Sequence, residues 1–156
     1  YESAAAPSRL SIERLGVDRI EAGRVLGAIL SDIDFTLDPG ATAAVTGPSG
    51  AGKTTLLYAI AGLVRPDRGG VRWGGSDIAA WPERRRDRWR RDSVGLVFQD
   101  FQLFPELSVV DNILLPTRFD RVRTPASLRE RARVLAERVG VAAATVVKGE
   151  ATNSSV

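Results

Sequence analysis

The chain has 156 residues, 44% of them hydrophobic, and a net charge of +3. That length suits one domain with a real core, or part of one. Cysteine and histidine are both absent, which excludes disulfides, zinc–thiolate sites, thiol catalysis, imidazole general bases and histidine-based triads.

No apolar run approaches a membrane span, and no signal-peptide pattern opens the chain, so the expected location is cytoplasmic. Methionine is absent even at position 1, where Tyr1 stands. The expectation is a trimmed or partial chain.

Residues 1–9 read as a flexible lead-in. Residues 10–17 alternate as a strand does, and 19–28 read as a glycine-punctuated connection. Ile33, Phe35 and Leu37 alternate with Asp34, Thr36 and Asp38, which predicts a half-buried strand. Asp38-Pro39-Gly40 is a turn. Residues 41–46 are small and apolar and predict a short buried strand.

The next eight residues carry the strongest chemical signal. They are Gly47, Pro48, Ser49, Gly50, Ala51, Gly52, Lys53 and Thr54, a complete phosphate-binding loop. The glycines let backbone approach a polyphosphate without a Cβ in the way. Successive N–H groups then make a concave anion site. Lys53 can reach the terminal phosphates, and the Thr54 hydroxyl can ligate Mg²⁺. Of the 22 basic residues only Lys53 and Lys148 are lysines. A compact ammonium fits between phosphates where a planar guanidinium fits less easily. Apolar positions at 56, 57, 60, 61 and 64 predict a helix over 54–64, whose dipole faces the phosphates.

Gly62 and Pro66 end that helix, and 66–70 reads as a turn. A short strand over 71–73 and Gly74-Gly75 follow. Residues 84–91 read RRRDRWRR, with Trp81 and Trp89 nearby. One reading is a nucleic-acid patch of arginines on phosphates and tryptophans on bases. The other, preferred here, is the solvated face of a helix opened by Pro82, with tryptophans partly buried. Residues 94–98 predict a buried strand. A helix over 108–115 is expected to stop at Pro116. A second covers 127–139, with Leu128, Ala132, Leu135 and Val139 on one face and Gly140 as its cap. Residues 149–156 form a polar tail without periodicity.

Two stretches resemble the ATPase domain of ABC transporters. One is LSDIDFTLDPG with AVTGPSGAGKTTLLYAIAGLVRPDRGGVRWGGSDI, and the other is VGLVFQDFQLFPELSVVDNILLP. The ending DNILLP is most similar to the branch of lipoprotein-release and macrolide-efflux ATPases. The resemblance covers residues 10–145. It implies an α/β fold: a P-loop NTPase (RecA-like) core, an antiparallel β subdomain and the start of an α-helical subdomain, incomplete. The implied parts are the phosphate loop at 47–54, a glutamine loop at 98–104 and a partial helical subdomain at 108–140.

Carried over, the resemblance implies ATP and Mg²⁺ held by the loop, with Thr55 continuing the phosphate cradle. Gln99 would sense the γ-phosphate through Mg²⁺ and its water, so Thr54 and Gln99 are the implied metal contacts. Residues 101–111 would lie near a membrane subunit, where apolar Phe101, Leu103, Phe104 and Leu107 would either dock or serve as core. The implied partners are a transmembrane permease subunit and a second ATPase domain in a homodimer; no specific nucleic acid is expected. The protein would sit peripherally on the cell membrane through the permease.

Four features differ from the family pattern. Arg19 or Ile20 stands where an aromatic residue would stack on adenine. Residues 146–156 are a degenerate signature region and tail, with Val147 and Lys148 in place of a serine and a glycine. No four apolar residues precede an Asp-Glu pair, and no switch histidine exists. The expectation is therefore ATP binding without hydrolysis by this chain alone, and no residue is assigned as catalytic. The alternatives are a stand-alone P-loop protein, an inert truncated product and an arginine-cluster nucleic-acid binder.

Overall fold

The structure is a computed structural model and describes residues 8–99, 103–118 and 125–141. The chain divides into two compact units, Tyr1–Val97 and Phe98–Val156. The signature region and tail, and most of the lead-in, lie outside the described residues.

The first unit is built on an antiparallel sheet. Strands β1 (Leu10–Glu21) and β2 (Arg24–Leu37) form a long hairpin, and β3 (Arg68–Trp73) and β4 (Ser76–Asp77) complete the order β2-β1-β3-β4. The predicted connection over 19–28 is therefore a correction. Both strands run through it, paired as Arg19↔Gly27, Ile20↔Val25 and Glu21↔Arg24. Glycines there were read as breaks, yet Ala22 and Gly23, both at positive φ, make only the two-residue turn between strands. Likewise Arg68, Gly69 and Gly70, read as a turn, lie in β3.

Alternation along β1 buries Leu10, Ile12, Leu15 and Val17. They pack with Leu30, Val71 and Ile78 and with Leu56 and Ala59 of the helix α1 (Lys53–Ile60). Two devices hold the sheet in register. Gly69 adopts φ 70°, and a Cβ there would collide with the carbonyls of Glu13 and Arg14, so only glycine fits this bulge. Nearby, Arg68 forks onto Asp18 through two bonds of 2.8 Å, and the Asp18 N–H donates to Asp67 at 2.8 Å. The Arg68 hydrogen bonds hold the Asp18 carboxyl below its usual pKa.

Helix α1 ends earlier than the predicted 64. Gly62 at φ 69° closes it, with the Gly62 N–H on Ala59 O and the Leu63 N–H on Tyr58 O. These are the two bonds of a glycine-terminated helix end. Helix α2 (Glu83–Ser93) follows Pro82, as expected.

Two predicted strands do not form. Residues 41–46 and 94–98 have no regular structure and are largely exposed, and Val97 is 94% exposed. An apolar run becomes a strand only when a neighbour takes its N–H and C=O groups. Among the described residues neither segment has one.

The second unit contains α3 (Val109–Arg118) and α4 (Ala126–Arg138), with Val110, Leu114 and Ala132 buried together. Ser108 caps α3. Its hydroxyl accepts from the Asp111 N–H at 3.1 Å and donates to the Asp111 carboxylate at 2.6 Å. Pro116 does not stop α3 but lies in its last turn, where Thr117 Oγ1 donates to Leu114 O at 2.7 Å. Its missing N–H forfeits one bond, to Asn112 O, and the helix ends two residues later. On α4 the buried residues are Ala132 and Ala136, whereas Leu135 and Val139 are exposed. The small residues form the packed seam, and the predicted face is rotated accordingly. Gly140 caps α4 at φ 76°, as expected.

Candidate phosphate-binding site

The loop at 47–52 lies between the open segment 41–46 and α1. Gly50 and Gly52 sit at φ 80° and 82°, and Gly47 at φ 153°. Gly52 has a second reason to be glycine. A Cβ there would stand 2.7 Å from Leu30 Cδ2 and 3.0 Å from Ile29 O. Strand β2 thus fixes where the loop turns into the helix. Gly50, by contrast, faces open space, so only its backbone conformation requires glycine.

Inside the loop the Ala51 N–H donates to Pro48 O at 3.3 Å, and the first helical bond runs from Leu56 N–H to Gly52 O at 2.9 Å. The N–H groups of Lys53, Thr54 and Thr55 therefore precede any helical acceptor. No acidic side chain occupies the first turn of α1, so nothing there repels an anion. Lys53 Nζ donates to the carbonyls of Gly47 at 2.9 Å and Pro48 at 2.6 Å. The ammonium is folded over the loop and held by acceptors that a phosphate oxygen can replace.

Pro48, Ser49, Ala51 and Thr54 are exposed, and Thr55 is half-buried. The structure therefore brings residues 47–55 together. Gln99 is exposed and belongs to the second unit. Leu103 and Phe104 are also exposed, while Phe101 lies outside the described residues. Among the described residues no three His, Cys, Asp or Glu side chains gather as a metal site. A metal here would need ligands from phosphate and water as well as Thr54.

The arginine helix is put to a different use. Arg86 is buried against Glu83, and Arg90 donates to Gly62 O at 2.5 Å and pairs with Glu83 and Asp87. The cation Arg90 thus caps the C-terminal end of α1. Trp89 packs between Trp73 and Trp81, with centroids 6.2 and 6.0 Å away. The indoles contact one another, as the partly buried reading expects. A cleft of about 610 Å³ is lined by Trp73, Trp81, Trp89, Asp38 and Asp92, away from the loop glycines.

Sequence reading missed the Asp18–Arg68 fork and the β2 platform beneath Gly52. Asp18 and Arg68 are 50 positions apart, and no local periodicity links such a pair. The Gly52 contact had one sequence signal, the third glycine of the motif.

A search of protein families matches residues 30–155 to the family described as ABC transporter. The chain belongs to the ABC transporter family. Among curated relatives, the lipoprotein-releasing system ATP-binding protein LolD 1 of Rhodopirellula baltica is 41% identical over 69% of this chain and 46% of its own length. The LolD of Pseudomonas fluorescens is 36% identical over 78% of this chain and 53% of its own. The chain spans about half the length of the curated relatives it matches. Among solved structures, the post-hydrolysis dimer of the ATP-binding cassette MJ0796 with ADP and Pi superposes with a TM-score of 0.76 at 23% identity. It covers 93% of this chain and 63% of that one. A second dimeric structure of MJ0796, described as a bacterial ABC transporter cassette, gives 0.71 at 25% identity over 83% of this chain and 56% of that one. The fold is thus the α/β fold of ABC cassettes, with its antiparallel sheet and helices.

Proposed function

We propose that this chain supplies the phosphate-gripping part of an ABC-type ATP-binding subunit. The observation that carries the reading is the loop itself. Gly50 and Gly52 bend it with φ 80° and 82°, Lys53 is folded over it, and α1 opens directly behind. Gly47, Pro48, Ser49, Gly50, Ala51 and Gly52 would wrap the phosphates of ATP, and Lys53 would exchange its carbonyl partners for phosphate oxygens. Thr54 would take one position on Mg²⁺, with Thr55 extending the cradle. Bound Mg²⁺ would neutralise phosphate charge.

The whole subunit would couple ATP binding and hydrolysis to transport, with a membrane permease and a second cassette as partners. The relatives named as ATP-binding proteins of a lipoprotein-releasing system support lipoprotein release as the process served. Among the described residues no helix is long and apolar enough to cross a membrane. A peripheral position on the cytoplasmic side, held by the permease, follows from that partnership. Hydrolysis needs groups that position and activate water. The sequence has no histidine and no Asp-Glu pair after an apolar run, so the chain alone should bind ATP without turnover.

The test is ATP affinity of the wild type and Lys53→Ala by calorimetry with Mg²⁺. We expect the variant to lose about tenfold or more, since it removes a charge-assisted phosphate contact. Equal affinities would overturn the reading.

A further inference from the structure

All three tryptophans of the chain line one cleft of about 610 Å³, a volume typical of small-molecule sites. Trp73 closes β3, Trp81 precedes α2 and Trp89 stands on it. Each packs on the sheet's core yet is only partly buried, so indole surface remains open to the cleft. The Trp73 N–H is engaged by Ile60 O at 3.0 Å, so this residue offers ring surface instead of a donor. Trp81 already holds a cation, since the Arg85 guanidinium lies 4.0 Å from its ring centroid. Indole is the aromatic side chain that attracts cations most strongly.

The charge of the cleft agrees with its aromatics. The chain has 22 lysines and arginines, yet none lines the cleft, whereas Asp38 and Asp92 both do. Arg9, which is not a lining residue, engages Asp38 at 3.2 Å. Asp92 has no ion pair among the described residues. It sits in the last turn of α2, where a carboxylate adds to the negative end of the helix. Its neighbour Arg90 is taken up by Gly62 O, Glu83 and Asp87. A cation in the cleft would thus meet aromatic surface and an unneutralised carboxylate. A primary ammonium brings three N–H donors that need acceptors, whereas a quaternary head brings none and is recognised by aromatic rings. A choline lipid or ester carries a phosphate beside that head, and the two carboxylates would repel it.

We propose that the cleft of Trp73, Trp81 and Trp89 binds a free quaternary ammonium cation, at a site separate from the phosphate loop. Intrinsic fluorescence reads this site directly, because every tryptophan of the chain lines it. The full chain is titrated at constant ionic strength with choline, with the uncharged alcohol in which carbon replaces choline's nitrogen, and with phosphocholine. Choline should shift the fluorescence saturably and bind about tenfold or more tighter than the uncharged alcohol. Phosphocholine should bind more weakly than choline. Asp92→Asn, a change at an exposed position, should weaken choline about two- to fivefold and leave the alcohol titration and the circular dichroism unchanged. Lys53→Ala should leave all three titrations as in the wild type, since the cleft does not depend on the phosphate grip. Absence of a saturable response to choline, equal affinity for choline and the alcohol, or phosphocholine binding as tightly as choline would each overturn the proposal. So would full choline affinity in Asp92→Asn.

Discussion

The antiparallel sheet and the phosphate loop are neighbours in the first unit, and they are built on opposite terms. In the sheet, β1 is paired on both sides and its apolar residues are buried. Around the loop, residues 41–51 are exposed and the backbone is held open by glycines. Stability is concentrated where hydrogen bonds close on themselves. Chemistry sits where they are left open for a ligand. The two regions meet at Gly52, which sits against Ile29 and Leu30.

Five substitutions would break or sharpen that contrast. Leu15→Ala, at a position with 0% exposure, should lower stability by about 2–5 kcal/mol, read as a shift in denaturant midpoint. Gly69→Ala should cost about 2–4 kcal/mol through its positive φ and the blocked carbonyls. Gly52→Ala tests the tie itself. It should cost about 1–3 kcal/mol and also weaken ATP binding, whereas Gly50→Ala should cost only about 1–2 kcal/mol. If the two were equal in stability, the β2 platform would not be holding the loop. At the small end, Val97→Ser should change stability by no more than about 0.5 kcal/mol. A large loss there would show that 94–98 is a buried strand after all.

Acid titration probes the sheet's own clamp. The Asp18 carboxyl is held low by its hydrogen bonds from Arg68. A carboxyl depressed in the folded state stabilises fully above its unfolded pKa, about 3.9. That contribution fades as pH falls through the lower folded value. Asp18→Asn should flatten the unfolding curve in that acid range. An unchanged pH profile would mean the fork adds nothing to stability.

How much was legible beforehand depended on the range of the interaction. The loop, the turn at 38–40, the alternation at Ile33, Phe35 and Leu37, and the caps Gly62 and Gly140 were all readable. Each is decided by a few adjacent residues. The strands over 19–28 were missed because Gly23 and Gly27 look like breaks when the partner strand is unknown. The apolar runs at 41–46 and 94–98 were read as strands because periodicity records what a segment prefers, not whether a neighbour is present to pair with it. The buried face of α4 is rotated from the expected one, since Ala136 is buried and Leu135 exposed.

The sequence by itself determined the phosphate loop, since glycine freedom and a single lysine are local properties of eight consecutive residues. It also determined the absence of imidazole chemistry, which no fold can supply to a chain without histidine. Only the tertiary structure decided that β2 braces Gly52, that Asp18 holds Arg68 across 50 positions, and that Arg90 caps α1 instead of facing solvent. Those contacts join residues far apart in sequence. Their energies depend on distances that no local pattern encodes.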